Sequence, residues 1–326
     1  MSDERVTLKN GLKMPKFGLG CGAITRENTV CVVNAAIDAG CRLFDCALLY
    51  GNEPDVGDAL KKVFESQKVK REDVFITTKL PMIGNHPSRV EHFLKKSLAN
   101  LKTDYVDLYL IHFPVGFEYS EEEVFFPRED GRIKLDYSTD IINIWRAMED
   151  QVKAGRTKSI GVSNFSKEQI QRIIDIATEP IANNQLEVHA YFQQKELRKF
   201  CKDNGITVSA YAPLGSPGRR EAFIGSQGIP QVMSDPIVAG IAEKHGKSTA
   251  QVLIRFLFQD DVTALPKSSS AQRITHNFNI FDFTLSTDEL IDLRSLDKGE
   301  VGRTFNYLEI FEGLDKHPEN PLAPAS

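Results

Sequence analysis

The sequence predicts an α/β fold: a single (β/α)8 TIM barrel with an N-terminal β-hairpin and a C-terminal loop over the barrel mouth. Three observations carry that prediction. Eight short apolar runs alternate with longer amphipathic segments along the 326 residues. No linker, repeat or low-complexity stretch interrupts them before the end. Helix follows strand throughout, the order of right-handed βαβ units building a parallel sheet. Eight such units in one run favour a closed barrel over an open doubly wound sheet, so residues 1–326 read as one domain.

The elements follow in order. Residues 5–15 place Asn10-Gly11 between two short alternating runs, a strong local hairpin signal, and this hairpin is expected to plug one end of the barrel. Strands are predicted at Phe17–Gly20, Leu43–Ala47, Val74–Leu80, Val106–Phe113, Ser159–Ser163, Ile181–Val188, Thr207–Ala212 and Val262–Pro266. Apolar residues spaced by three and four mark helices at Val30–Ile37, Val56–Phe64, Val90–Leu98 and Ile141–Val152. More are expected at Ile170–Ala177, Leu197–Cys201, Ile237–Ala242, Ala250–Phe258 and Ala271–Phe278. Gly40, Gly155, Gly205 and Gly246 stand where helices should stop, and Ser88, Ser166, Ser248 and Ser270 near starts. The segment 302–326, rich in Pro and aromatic residues and without periodicity, reads as a loop over the barrel or as disorder.

Composition removes whole classes of function. Forty basic against 45 acidic side chains give a formal charge of −5, and the bases are interspersed with acids rather than clustered as phosphate binding requires. Mean hydropathy is −0.28, and no apolar run approaches the ~20 residues of a membrane helix. The start lacks a basic region followed by an apolar stretch, so a cytoplasmic protein is expected. The five cysteines are odd in number and form no CxxC pair, which suits a reducing compartment, and no metal site is expected. Asn164-Phe165-Ser166 spells a glycosylation sequon that is idle without export.

Barrel chemistry sits at the C-terminal ends of strands, so the last polar residues of the apolar runs are the candidates. The second strand ends in Asp45, with Tyr50 five residues on; the third ends in Lys79 and the fourth in His112. A buried Lys79 needs a counter-ion, and Asp45 is suitable. The Lys79 ammonium should in turn favour the phenolate of Tyr50, lower its pKa and let it donate a proton near neutral pH. With His112 bonded to the same oxygen, that group is what carbonyl reduction needs, because hydride arrives at carbon while a tuned acid protonates the alkoxide.

These residues carry a resemblance that covers nearly the whole chain. Gly40 to Glu53, containing Asp45 and Tyr50, resembles the first motif of the aldo-keto reductases. Asp104 to His112 resembles their second, Gly161 to Phe165 their third, and Leu265-Pro266-Lys267-Ser268 their last. The resemblance implies a catalytic tetrad of Asp45, Tyr50, Lys79 and His112, and NADPH/NADP+ as cofactor, with transfer of the 4-pro-R hydride. By the same resemblance Ser163, Asn164 and Gln185 would hold the carboxamide, Tyr211 would stack on the nicotinamide, and Lys267, Ser268 and Arg273 would hold the 2′-phosphate. Two cations and a hydroxyl at a helix start suit a phosphate on physical grounds as well. Pro213 to Arg220, including Leu214 and Ser216, resembles the belt over the pyrophosphate. Where relatives carry Glu before Asn277, an adenine-side residue, this chain has His276, a departure that bears on cofactor selectivity.

Other patterns have plainer readings. Gly18-Leu19-Gly20-Cys21-Gly22-Ala23 matches GxGxxG/A, but the preceding run is short and polar and Thr25 to Asn28 intervene before any helical period. His189 is expected to satisfy a backbone group, and His86, His92, His245 and His317 to be solvated. Trp145, the only tryptophan, lies on an apolar helical stripe and reads as packing. Relatives line the substrate pocket with tryptophans; at the matching places stand Gly22, Pro81 and Phe113, which should widen a pocket kept apolar by Leu48, Leu49 and Phe113. Bulky hydrophobic carbonyls, such as steroid-like ketones or aromatic aldehydes, are therefore expected as small-molecule substrates of a monomer, with Phe305, Tyr307 and Phe311 of the tail closing over the pocket. The alternatives are a reductase of small aldoses and a member of the same fold that binds cofactor without turnover, as a sensor or structural protein. An intact tetrad argues against the latter.

Overall fold

Arg5–Thr7 (β1) and Lys13–Pro15 (β2) pair antiparallel about a turn in which Gly11 takes φ +88°, a conformation an L side chain resists. This computed structural model describes residues 4–218 and 231–322. Leu8 and Met14 of the hairpin pack against Leu43, Phe75, Leu108 and Ala182, residues at the beginnings of barrel strands, so the hairpin closes the N-terminal end of the barrel.

The barrel strands are Leu19–Gly20 (β3), Leu43–Asp45 (β4), Phe75–Leu80 (β5), Leu108–Ile111 (β6), Ile160–Ser163 (β7), Ile181–Glu187 (β8), Thr207–Tyr211 (β9) and Thr263–Ala264 (β10). All pair parallel in chain order. The two ends meet through a parallel bridge between Phe17 and Ala264 and bonds from Gly18 N to Ala264 O (3.1 Å) and Gly20 N to Pro266 O (3.0 Å). The strands are shorter than the apolar runs that predict them, because the runs continue into loops at the barrel rims. Register places Gly20 beside Asp45, Ser163 beside Gln185 and Glu187 beside Tyr211, which gathers the expected site residues at one end.

Ten helices of two turns or more are described, from Arg26–Asp38 (α1) and Glu53–Glu65 (α2) to Val90–Leu101 (α3), Ile141–Lys153 (α4), Lys167–Ile174 (α5) and Lys195–Asp203 (α6). Pro236–His245 (α7), Thr249–Gln259 (α8), Ala271–Phe278 (α9) and Thr287–Ser295 (α10) complete them. Ser166 and Ser248 cap α5 and α8 in reciprocal boxes with Gln169 and Gln251, and Ser270 caps α9. Ser88 does not cap: it lies in a 3-10 turn, Pro87–Arg89, that precedes α3. The periodicity misses α10, whose start is fixed by a Ser286–Glu289 box and whose inner face buries little beyond Leu293.

Among the described residues no helix is long and apolar enough to cross a membrane. Trp145 is fully buried, as a packing residue should be. Three histidines depart from expectation. His245, expected to be solvated, is half-buried with Nε2 on the Glu289 carboxylate at 3.0 Å. His189 Nε2 meets the carboxylate of Glu187 and the hydroxyl of Thr304, both at 3.1 Å, and among the described residues its ring meets no backbone group. His317 is buried, bonded to Asp136 O and Glu319 N at 3.0 Å, because the tail folds back onto the barrel.

The described part of the tail packs back onto the barrel. It contains a helical turn at Tyr307–Ile310, and its Glu319 carboxylate is gripped by both terminal nitrogens of Arg172.

Candidate active site

Asp45 ends β4, Lys79 stands next to last on β5, and His112 immediately follows β6. Tyr50 closes the 3-10 turn Leu48–Tyr50, terminated by Gly51 at φ +71°. Lys79 is fully buried; its Nζ donates to Asp45 Oδ1 at 2.8 Å and to Cys46 O at 2.9 Å, and reaches Tyr50 Oη at 3.3 Å. The ring of His112 meets that of Tyr50 edge-on, centroids 5.8 Å apart. The four residues thus converge.

Electrostatics correct one expectation. Burial pushes the Tyr50 phenol up to about 12, and Lys79, although it pulls the other way, does not overcome it. The free protein therefore holds Tyr50 firmly protonated rather than poised near neutrality. Burial alone would lower Lys79, but Asp45, with Tyr50, keeps it above the ordinary lysine value and charged. His112 is held well below the usual histidine range by burial and then by Lys79, so its ring is neutral.

Beside this group, Ser163 Oγ donates to Gln185 O at 2.9 Å, and Gln185 Nε2 donates to Asp45 Oδ1 at 2.8 Å. Asn164, at φ +65°, donates from Nδ2 to His112 O (3.0 Å) and Ser163 Oγ (3.1 Å), while its Oδ1 accepts from Tyr211 Oη at 2.7 Å. At the start of α9, Arg273 Nε lies 3.2 Å from Ser268 Oγ. Burial and then the neighbouring Arg273 charge hold Lys267 below the ordinary lysine value. Among the described residues no carboxylate pairs with Lys267 or Arg273, so two adjacent cations and a hydroxyl are left facing an anion-sized demand. These donors fit a phosphate. Asn277 is buried a turn further along α9, with His276 exposed beside it. Leu214 and Ser216, the latter at φ +52°, follow β9, while Arg219 and Arg220 lie outside the described residues.

Of the expected pocket residues, Gly22 faces the Tyr50 ring, Leu49 is half-buried, and Leu48, Pro81 and Phe113 are buried. Phe113 lies under Tyr307 and Phe311, with centroids 4.7 and 5.7 Å away. The glycine string does not enter a helix directly: Leu19-Gly20 form β3 and α1 begins only at Arg26.

Two features escaped sequence reasoning. Glu187, the last polar residue of β8, is buried and accepts from Thr304 N (2.6 Å) and Phe305 N (3.0 Å), fastening the tail to the barrel; the strand-end rule that picks out Asp45, Lys79 and His112 would have found it. Glu53 is buried under Thr78, whose hydroxyl donates to it, and burial raises its pKa.

A family model described as Aldo/keto reductase family matches residues 11–298. The chain belongs to the aldo/keto reductase family. It is 42% identical over 296 residues to aldo-keto reductase family 1 member A1 of Xenopus tropicalis, covering 90% of this chain and 89% of that one. To the Homo sapiens protein of the same name it is 40% identical over 300 residues, covering 91% and 90%. The structure of the aldose reductase from Schistosoma japonicum superposes with a TM-score of 0.89 at 36% identity, covering 99% of this chain and all of that one. Membership makes the chain an oxidoreductase of carbonyl and alcohol groups, and the barrel is the fold such a member requires.

Proposed function

We propose that this chain reduces aldehydes and ketones to alcohols, with NADPH as hydride donor and Tyr50 as general acid. The observation that carries the reading is the partly buried contact of Tyr50 Oη with Lys79 Nζ at 3.3 Å, Lys79 being held in turn by Asp45. When bound, NADPH supplies the hydride to the carbonyl carbon. The side chains do the rest. Neutral His112 offers a single ring N–H to the substrate oxygen and orients it. Tyr50 passes its proton to that oxygen as negative charge develops, and Lys79 stabilises the phenolate left behind. Asp45 compensates the Lys79 charge throughout. Ser163, Asn164 and Gln185 would hold the carboxamide, Tyr211 would stack on the ring, Leu214 and Ser216 would line the pyrophosphate path, and Lys267, Ser268 and Arg273 would take the 2′-phosphate. Asn277 would serve the adenine end.

Substrate size follows from Gly22. A side chain there would lie against Tyr50, and its absence leaves the space beside the acid open to a bulky hydrophobic carbonyl, a steroid-like ketone or an aromatic aldehyde. Free thiols buried at Cys21, Cys41, Cys46 and Cys201 suit a cytoplasmic monomer.

The test is the loss of NADPH absorbance over a panel running from small aldoses to steroids, with Tyr50→Phe in parallel. Turnover of bulky carbonyls that disappears in the variant, with NADPH affinity retained, is the expected result. Tight NADPH binding with no turnover on any carbonyl would instead make the chain a cofactor-binding protein.

A further inference from the structure

Tyr307 belongs to the C-terminal segment, yet its phenol reaches the strand ends. Its ring lies between Phe113, at 4.7 Å, and Phe311, stacked at 5.7 Å. Its hydroxyl is 2.9 Å from Tyr211 Oη and 3.5 Å from Asn164 Oδ1. Counting protons gives the direction of these bonds. Tyr211 has one O–H, which it gives to Asn164 Oδ1 at 2.7 Å, so Tyr307 must be the donor to Tyr211 Oη. Asn164 then spends its own N–H groups on His112 O and Ser163 Oγ. A single run of donors therefore leads from the tail, through Tyr211 and Asn164, to the backbone of His112.

Besides this pair of hydroxyl bonds, Tyr211 makes an edge contact with Phe305 at 5.7 Å. Tyr307 in turn cannot drift, because Glu187 grips the backbone two and three residues before it, at Phe305 N and Thr304 N. We propose that Tyr307 is a positioning residue for the cofactor: by donating to Tyr211 Oη it sets the plane of the ring on which the nicotinamide stacks. The C-terminal segment is then part of the cofactor site, and the inference rests on the NADPH reading of that site.

The experiment is calorimetric titration of NADP+ into the substrate-free protein, comparing wild type, Tyr307→Phe, Tyr211→Phe and the double variant. Tyr307→Phe keeps the aromatic packing and removes only the hydroxyl. It is expected to raise the Kd about fivefold, the worth of one buried hydrogen bond, and to change nothing further once Tyr211 is Phe. A Kd within about twofold of wild type overturns the inference, as does an equal loss in the Tyr211→Phe background, which would mean that Tyr307 acts without Tyr211. A wild-type protein that binds no NADP+ overturns the cofactor reading itself, an outcome distinct from either.

Discussion

Gly22 lies against the face of Tyr50: a β-carbon built on it would stand 3.6 Å from the phenol Cζ, ordinary contact distance. A larger side chain is thus sterically admissible at its root and would extend over the Tyr50 ring. Gly22→Trp is expected to lower kcat/KM for bulky ketones at least tenfold, by roughly the 1.4 kcal/mol that a pocket clash readily supplies, and to leave small aldehydes within about threefold. Steady-state kinetics on the two substrate classes checks this.

Lys79 and Asp45 form a buried pair in which neither partner tolerates loss of the other. Lys79→Met leaves the Asp45 carboxylate buried without its cation, so the variant should lose ~3–5 kcal/mol of stability together with its activity. Asp45→Asn added to Lys79→Met should recover part of the stability and none of the activity. Urea unfolding of the three proteins measures both halves.

Tyr50 is pushed up to about 12 and His112 lies well below the usual histidine range, so both groups keep one protonation state across the middle of the pH scale. Carbonyl reduction, which needs Tyr50 protonated, should show no inflection between about pH 6 and 9. Alcohol oxidation needs the phenolate as base and should rise with pH through the same range. Pre-steady-state rates in both directions separate the two.

On the NADPH reading, Arg273 and Lys267 hold the 2′-phosphate, an anion that NADH lacks at the ribose. Arg273→Met should weaken NADPH binding about tenfold or more, the worth of a charged hydrogen bond, and leave NADH binding unchanged. Fluorescence titration with both cofactors reads the difference.

Glu289 is almost buried, which alone would raise its pKa, but Lys244, the Ser286 N–H and His245 together carry it down to about 2. A lowered carboxyl contributes stability above its unfolded value of 4.5 and loses it as pH falls toward 2. Glu289→Gln should therefore cost ~2–3 kcal/mol at neutral pH, and the gap to wild type should close near pH 2. Denaturant midpoints at the two pH values decide it.

The barrel was legible because short, largely buried segments rich in apolar residues alternate with amphipathic helices, and because Asp45 and Lys79 stand at the ends of two such segments and His112 just after a third. Tyr50 was reachable from its spacing to Asp45. Helix α10 was not, since its two buried residues, Glu289 and Leu293, make no apolar stripe. The protonation of Tyr50 was misjudged because a sequence gives its neighbours and not its depth. Tyr307 was legible as an aromatic residue of the tail, but its bond to Tyr211 depends on Glu187 holding the backbone at Thr304, a contact between residues 117 apart.

The seam of the barrel joins residues 16–20 to residues 264–266. During synthesis, β3 thus leaves the ribosome with no partner on one side until about 245 further residues have followed it. Until Pro266 is made, β3 lacks one of its two barrel neighbours, and a strand edge left unpaired is open to pairing with other chains. Closure rewards only a chain that has reached Pro266, so β3, the first-made strand of the barrel itself, is among the last to be secured.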